Sequence, residues 1–186
     1  MNSATAKEFL LPDFVRRLTL RDGTVLQIRM LRPDEQSRVR DLLARCSPES
    51  LRFRFLHPIK SLSESDLHHL TDADGTRHVA LAVLHHDQLV ALGQYQALED
   101  RPAVAEVSFL VADAMQRQGI GTALLQTLAA LAQQHGITRF SADVLADNQL
   151  MLAVFRHAGY ALHASTSYGV THLEFPIVQE KSLTDG

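Results

Sequence analysis

AMQRQGIGTALLQTLAALAQQHG, residues 114–136, opens as a polar turn carrying two glycines and passes directly into an apolar-striped segment. Ile120, Leu124, Leu128 and Leu131 recur at spacings of four, four and three, which places them on one face of a helix that Gly136 would stop. Gly119 and Gly121 stand at its first turn, where glycine weakens a helix. The residues before them, AVAEVSFLVA (103–112), are β-rich. A strand that feeds a turn and then a helix leaves the first helical N–H groups unpaired, and the helix dipole adds positive potential there, so such an end attracts phosphate. The glycines would let a pyrophosphate approach the backbone, with Arg117 adding a charged hydrogen bond. A plain tight turn accounts for the glycines equally well. No GK[ST] follows, which excludes a P-loop, and no early strand leads into GxGxxG, which excludes a Rossmann site.

Outward from this segment the period alternates between two and 3.6. RLTLRDGTVLQIRML (17–31) alternates on either side of Asp22-Gly23, a strong hairpin signal. Pro33 marks a helix start with Val39, Leu42 and Leu43 as its stripe, and Ser47 or Ser50 would cap a second short helix. Leu62, Leu67 and Leu70 predict a third helix ending before Gly75. HVALAVLHH (78–86), QLVALGQYQAL (88–98) and the run at 103–112 read as an antiparallel meander. Beyond the central helix, Phe140, Ala142 and Val144 alternate as a strand, NQLMLAVFRHAG (148–159) reads as a helix closed by Gly159, and two strands flank Tyr168-Gly169. The order ββαααβββαβαββ predicts an α/β sandwich with a mixed sheet, in one domain.

Composition narrows the function classes. A net charge of -3 provides no broad basic field for nucleic acid or an anionic membrane. The single cysteine, Cys46, allows neither a disulfide framework nor a cysteine-built zinc site, and suits a reducing compartment. The opening apolar run is broken by Pro12 and is too short for a secretory leader, so a cytoplasmic location is expected. Residues 1–15 are assigned to an N-terminal extension, 16–178 to the domain, and 179–186 to a loose tail.

Two motifs carry a resemblance. AEVSFLVADAMQRQGIGTALL (105–125) resembles the acyl-CoA-binding segment of the GCN5-related N-acetyltransferases (GNAT), with Gln116, Gly119 and Gly121 filling [Q/R]-x-x-G-x-[G/A]. ADNQLMLAVFRHAGY (146–160) resembles that family's second segment, where an asparagine opens a helix ending in G-[F/Y], here Asn148, Gly159 and Tyr160. Upstream, CSPESLRFRFLHPIKSLSESDLHHLTDAD (46–74) resembles the acceptor-side helices of bacterial Pat-type protein lysine acetyltransferases. Those proteins fuse the domain to an acyl-CoA synthetase-like or cyclic-nucleotide-binding region. The expectation here is a domain acting alone.

The resemblance implies the GNAT fold, a mixed, mostly antiparallel sheet flanked by helices, whose splayed strands form an acyl-CoA cleft. It implies acetyl-CoA as co-substrate, no metal, and a protein lysine as acceptor, with an acyl-CoA synthetase as a candidate. Backbone groups of Phe109, Leu110 and Val111 would pair with the pantetheine arm as an added strand. The amides from Gln116 through Arg117, Gln118, Gly119, Ile120 and Gly121 to Thr122 would hold the pyrophosphate, and Asn148 would bond the pantetheine, cap its helix, or both. Many family members protonate the leaving thiolate with a tyrosine seven residues after the asparagine. Phe155 stands there instead. By the resemblance it would line the cofactor cleft, without a proton to give.

Acyl transfer to a lysine needs a base. With an amine pKa of about 10.4, roughly one lysine in 2,500 is neutral at pH 7, a cost of about 4.6 kcal/mol. Glu106 is the candidate, on the strand face shared by Ser108 and Leu110. Partial burial, or relay through a water, would suit a carboxylate to that task. The amide near Leu110 is the expected oxyanion donor. The histidine pairs His68-His69 and His85-His86 lack metal spacing, while His78 and His172 are candidates to line the acceptor site. Arg38, Arg40, Arg45, Arg52 and Arg54 form either a solvated face or a steering patch for an acidic substrate region. Small-amine acetylation, and acetyl-CoA sensing without turnover, stay open beside the lysine reading.

Overall fold

The computed structural model describes residues 14–178. Eight strands form one sheet in the order β1-β2-β3-β4-β5-β6-β8-β7. β1 (Val15–Thr19) and β2 (Val25–Met30) make the hairpin across Gly23, whose φ of 87° is the left-handed geometry such a turn needs. β1 begins at Val15 and Phe14 packs into the core, two residues inside what the sequence assigns to an extension. The remaining residues of that extension and the tail 179–186 lie outside the described residues.

β2 leads to α1 (Gln36–Ala44), α2 (Pro48–Phe55) and α3 (Glu64–Thr71). α1 starts three residues beyond Pro33. Glu35 sets that start: its carboxylate accepts from Arg29 at 2.6 and 2.9 Å and from the Arg32 N–H at 2.8 Å. Ser47, rather than Ser50, caps α2, accepting from Ser50 N at 3.2 Å with Pro48 at the first helical position. Ser63 and Asp66 close a reciprocal capping box on α3.

β3 (His78–His85), β4 (Gln88–Ala97) and β5 (Val104–Val111) are the antiparallel meander. A 3₁₀ turn at Asp113–Met115 precedes α4 (Ile120–Gln134), which crosses to β6 (Arg139–Leu145), and α5 (Gln149–His157) precedes the hairpin of β7 (His163–Ser167) and β8 (Val170–Pro176). The β5–β6 pair alone is parallel within this sheet, as a helical crossover demands.

Two cores flank the sheet. On one face Ile120, Leu124, Leu125, Leu128 and Leu131 of α4 pack with Val107, Phe109, Phe140 and Phe175. Each such side chain, wholly withdrawn from water, contributes roughly 1.5–3 kcal/mol. Gly93 of β4 lets α4 come this close, since a Cβ there would lie 3.1 Å from Leu124 and 3.2 Å from Phe109. On the other face α1 and α3 cover Ala80, Ala82, Leu92 and Leu110 through Val39, Leu42, Leu67 and Leu70.

Candidate active site

The sheet opens in its middle. β5 and β6 pair only through Val104↔Arg139, Ala105↔Phe140 and Glu106↔Ser141, after which the two parallel strands part. Between them, under α2 and beside the start of α4, lies a cavity of about 480 Å³.

The exposed edge of β5 has a definite polarity. Ala112 N donates to Val90 O and Leu98 N to Val104 O, so even-numbered residues of β5 exchange hydrogen bonds with β4 in this uninterrupted ladder. The Leu110 N–H is therefore spent on β4, contrary to the expectation that it faces the opening. Phe109 and Val111 turn their backbone groups into the cleft instead, and the Val111 carbonyl accepts from Gln116 Nε2 at 3.1 Å. A one-residue phase is the whole difference, and a strand's period of two makes it decisive.

At the far end, the turn into α4 forms a concave run of amides. Gln116 N donates to Asp113 O at 3.3 Å and is not free, which removes it from the expected set. From Arg117 through Thr122, no backbone N–H has a protein acceptor among the described residues, and the first bond of α4 runs from Ala123 N to Gly119 O at 3.1 Å. Arg117 (φ 62°) and Gly119 (φ 85°) are both left-handed, a conformation that gathers successive N–H groups into an anion-binding nest. Gly119 is thus required by its backbone angle, while the space where its Cβ would project is open. Gly121 has a different reason: its Cβ would touch Val154 of α5 at 3.4 Å, so it sets how closely the two helices meet. Arg117, Gly119, Ile120, Gly121 and Thr122 line the cavity; Gln118 does not, its side chain reaching back to Ala114 O at 3.4 Å.

α2 lies across the cleft and is tied to both walls. Gln116 Nε2 donates to Ser50 Oγ at 3.0 Å, Ser47 N donates to Asp113 Oδ1 at 3.0 Å, and Arg52 pairs with Asp147 just before α5. Burial opposes ionisation of Asp113, yet hydrogen bonds from Ser47 and Ser50 hold its carboxyl below the usual range.

The acetyltransferase (GNAT) family model matches residues 37–160. The chain belongs to the GNAT acetyltransferase family. It is 30% identical over 137 residues to acetyltransferase PA5475 of Pseudomonas aeruginosa, covering 72% of this chain and 73% of that protein. Acetyltransferase Pat of Mycolicibacterium smegmatis is 26% identical over 160 residues, covering 85% of this chain and 47% of that protein, so the chain spans about half that relative's length. The crystal structure of the GNAT domain of S. lividans PAT superposes with a TM-score of 0.81 at 37% identity, covering 87% of this chain and 96% of that one.

Within this GNAT frame the remaining predicted residues fall as follows. Asn148 is buried and caps α5, accepting from Met151 N at 3.2 Å, and it also lines the cavity. Phe155 lines the floor, packed against Phe109 and Phe175 with ring centroids 6.1 and 5.6 Å away. Glu106 is exposed at the narrow end, where Val107 and Ser108 line the cavity and Glu106 itself does not. The burial expected of it from its apolar strand is absent, and a water-relayed proton path is what its position leaves.

Neither histidine proposed for the acceptor site lines the cleft. His78 is buried and stacked on His69, with ring centroids 5.5 Å apart, and His172 pairs with Asp143 Oδ1 at 2.7 Å. Asp143 does line the cavity, as do Glu49 and Phe53 of α2, all missed in the sequence; Arg54 of α2, read there only as part of a solvated face or steering patch, lines it too. α2 has no buried residue, so no apolar stripe marks which of its faces points inward. Cys46 is buried, and burial beside Asp113 pushes its thiol up to about 11, leaving it unreactive. Among the described residues no group of three or more metal-ligating side chains converges.

Proposed function

We propose that this chain is an acetyl-CoA-dependent N-acetyltransferase acting on the side-chain amine of a protein lysine. The observation that carries the reading is the end of β5–β6 pairing at Glu106↔Ser141. It opens a slot with six amides at one end that have no acceptor among the described residues, and with a carboxylate, Glu106, beside its other end.

In this arrangement the pyrophosphate rests on the amides from Arg117 to Thr122, and the pantetheine adds to the cleft-facing edge of β5 at Phe109 and Val111. The thioester then lies toward Val107 and Ser108. Glu106 takes a proton from the acceptor ammonium through a water. The neutral nitrogen attacks the thioester carbon, a C–N bond forms, and the carbonyl oxygen gains negative charge facing the Phe109 N–H. The C–S bond breaks, the amine's second proton returns to water, and the thiolate leaves. With a thiol pKa of roughly 8.5 and no tyrosine at position 155, solvent supplies its proton. A cytoplasmic setting, where acetyl-CoA and reduced thiols coexist, fits the buried lone cysteine.

α2 supports a protein acceptor. Its side chains that line the cleft, Ser50, Phe53 and Arg54 among them, are only partly buried, so that side of the cleft is not sealed from solvent as an enclosed amine pocket would be. The test is to incubate the protein with acetyl-CoA and a panel of acceptors, including a lysine-bearing acyl-CoA synthetase, polyamines and amino acids, while following thiol release. Turnover on small amines alone overturns the lysine reading, and CoA binding without turnover on any acceptor favours a sensor.

A further inference from the structure

Five arginines cluster on α1 and α2 and the turn between them, and four of them are engaged. Arg38 meets Glu35 at 3.4 Å and Arg40 pairs with Glu64. Arg45 donates to Asp41 O at 3.1 Å, and Arg52 pairs with Asp147. Arg54 is the exception: it makes no ion pair or hydrogen bond among the described residues. It is nevertheless half-buried and lines the cavity.

Ser50, Phe53 and Arg54 stand at i, i+3 and i+4, so one face of α2 presents all three to the cleft. The guanidinium lies over the Phe55 ring, 5.0 Å from its centroid, which fixes its plane without using its N–H donors. Ser50 of α2 meets Gln116 beside the amide turn, and Arg54 stands one helical turn further on. Burial pushes Arg54 down to about 10 and the Glu106 charge opposes this, in keeping with a place toward Glu106. Leaving a forked cation without an acceptor in a half-buried site is costly unless a ligand completes it, and the complement of that fork is a carboxylate.

We propose that Arg54 receives a carboxylate at the acyl end of the cleft, presented by the ω-carboxyl of a dicarboxylic acyl-CoA or by an acidic group beside the acceptor amine. This rests on the reading that the cleft holds an acyl-CoA. A donor carboxylate would make the chain a transferase of three- to five-carbon acidic acyl groups as well as acetyl. An acceptor carboxylate would select lysines with acidic neighbours. In both cases Arg54 binds and does not transfer protons.

The test has two arms on the full chain. Calorimetry with CoA, acetyl-CoA and succinyl-CoA is run on the unmodified protein, Arg54→Gln and Arg54→Lys. Acetyl transfer is measured to lysine peptides carrying Glu or Gln beside the lysine. The expected result is a preference for the carboxylate-bearing partner in one arm, reduced roughly tenfold or more in Arg54→Gln and partly kept in Arg54→Lys. The succinyl-CoA arm assigns the carboxylate to the donor and the peptide arm to the acceptor. If CoA binds but neither preference responds to Arg54→Gln, the proposal fails while the cleft reading stands. If CoA does not bind the unmodified protein, the cleft reading falls and takes the proposal with it.

Discussion

Gln116 Nε2 donates to Ser50 Oγ at 3.0 Å and to the Val111 carbonyl at 3.1 Å, so one side chain joins the amide-rich turn before α4, the opened strand and the helix over the cleft. The motif glutamine acts here as a clasp. Ser50→Ala removes one arm, together with the Ser50 hydroxyl's contacts to Ser47 Oγ and Asp113, while the capping bond from the Ser50 backbone N–H to Ser47 Oγ is kept. In a double-mutant cycle with Gln116→Ala, the coupling free energy should be about 0.5–1.5 kcal/mol. Acetyl-CoA affinity should fall a few-fold in Ser50→Ala and further in Gln116→Ala, whose loss also frees the Val111 carbonyl. Additive effects on affinity would show that the contact does not organise the cleft.

Glu106, the proposed base, adjoins Val107 and Ser108, which line the cavity, without lining it itself, so under the proposed mechanism its removal separates chemistry from binding. Glu106→Gln should lower kcat by roughly 10²–10⁴-fold, while the dissociation constant for CoA moves by no more than about threefold. Single-turnover kinetics beside calorimetry measure both. A parallel loss of affinity would mean that Glu106 supports the fold of the opening instead.

Gly119 tests the amide nest through backbone geometry alone. Its φ of 85° is unfavourable for any residue with a Cβ, yet the space around it is open, so Gly119→Ala meets strain without a clash. A cost of about 1–2 kcal/mol is expected. It should appear in CoA affinity more than in thermal stability, because the turn can relax when no anion holds it. Dephospho-CoA and pantetheine separate the effects: pantetheine, lacking the pyrophosphate, should bind both proteins alike.

How far the sequence reaches is visible in α4 and α2. The stripe Ile120, Leu124, Leu128 and Leu131 announces both the helix and its buried face, because tertiary packing and local periodicity agree there. The order of the thirteen strands and α-helices among the described residues follows from similar alternations and from helix caps. α2 has the caps of a helix but no buried residue, so the sequence reveals that it exists and not that Phe53 and Arg54 face the cleft. Which β5 amides are free depends on hydrogen-bond phase with β4, a property of pairing that side-chain alternation does not record. Gly119 and Gly121 look alike in sequence, though one answers a backbone angle and the other a helix contact.

Gly93 fixes the distance between β4 and α4, and its replacement should be felt throughout that core. A Cβ would lie 3.1 Å from Leu124 and 3.2 Å from Phe109, closer than such contacts comfortably run. Gly93→Val should cost about 1–3 kcal/mol by overpacking, with Gly93→Ala milder. Urea titration measures it. The prediction extends to function, because Phe109 belongs to the cleft edge: acetyl-CoA affinity should fall in Gly93→Val even where the protein remains folded.

Glu174 of β8 is gripped by two arginines, Arg101 at 2.7 and 2.9 Å and Arg139 Nε at 2.9 Å. Hydrogen bonding from Arg101, opposed by partial burial and joined by Arg139, holds its carboxyl down at about 2 against an ordinary 4.5. A carboxylate with a depressed folded-state pKa stabilises the fold fully above its unfolded value and loses that contribution as the pH falls. The contribution is therefore complete above about pH 5 and fades between about 4.5 and 2. Arg101 is nearly half exposed, so solvent screening trims its size. Glu174→Gln should lower the melting temperature at pH 7 and change it little at pH 2, narrowing the acid-induced drop across that window. Because the Arg101–Glu174–Arg139 cluster ties β8 to β6 and to the loop entering β5, 0.5 M salt should weaken the same contribution at pH 7. An unchanged pH profile in the variant would show that the three groups are fully solvated in solution.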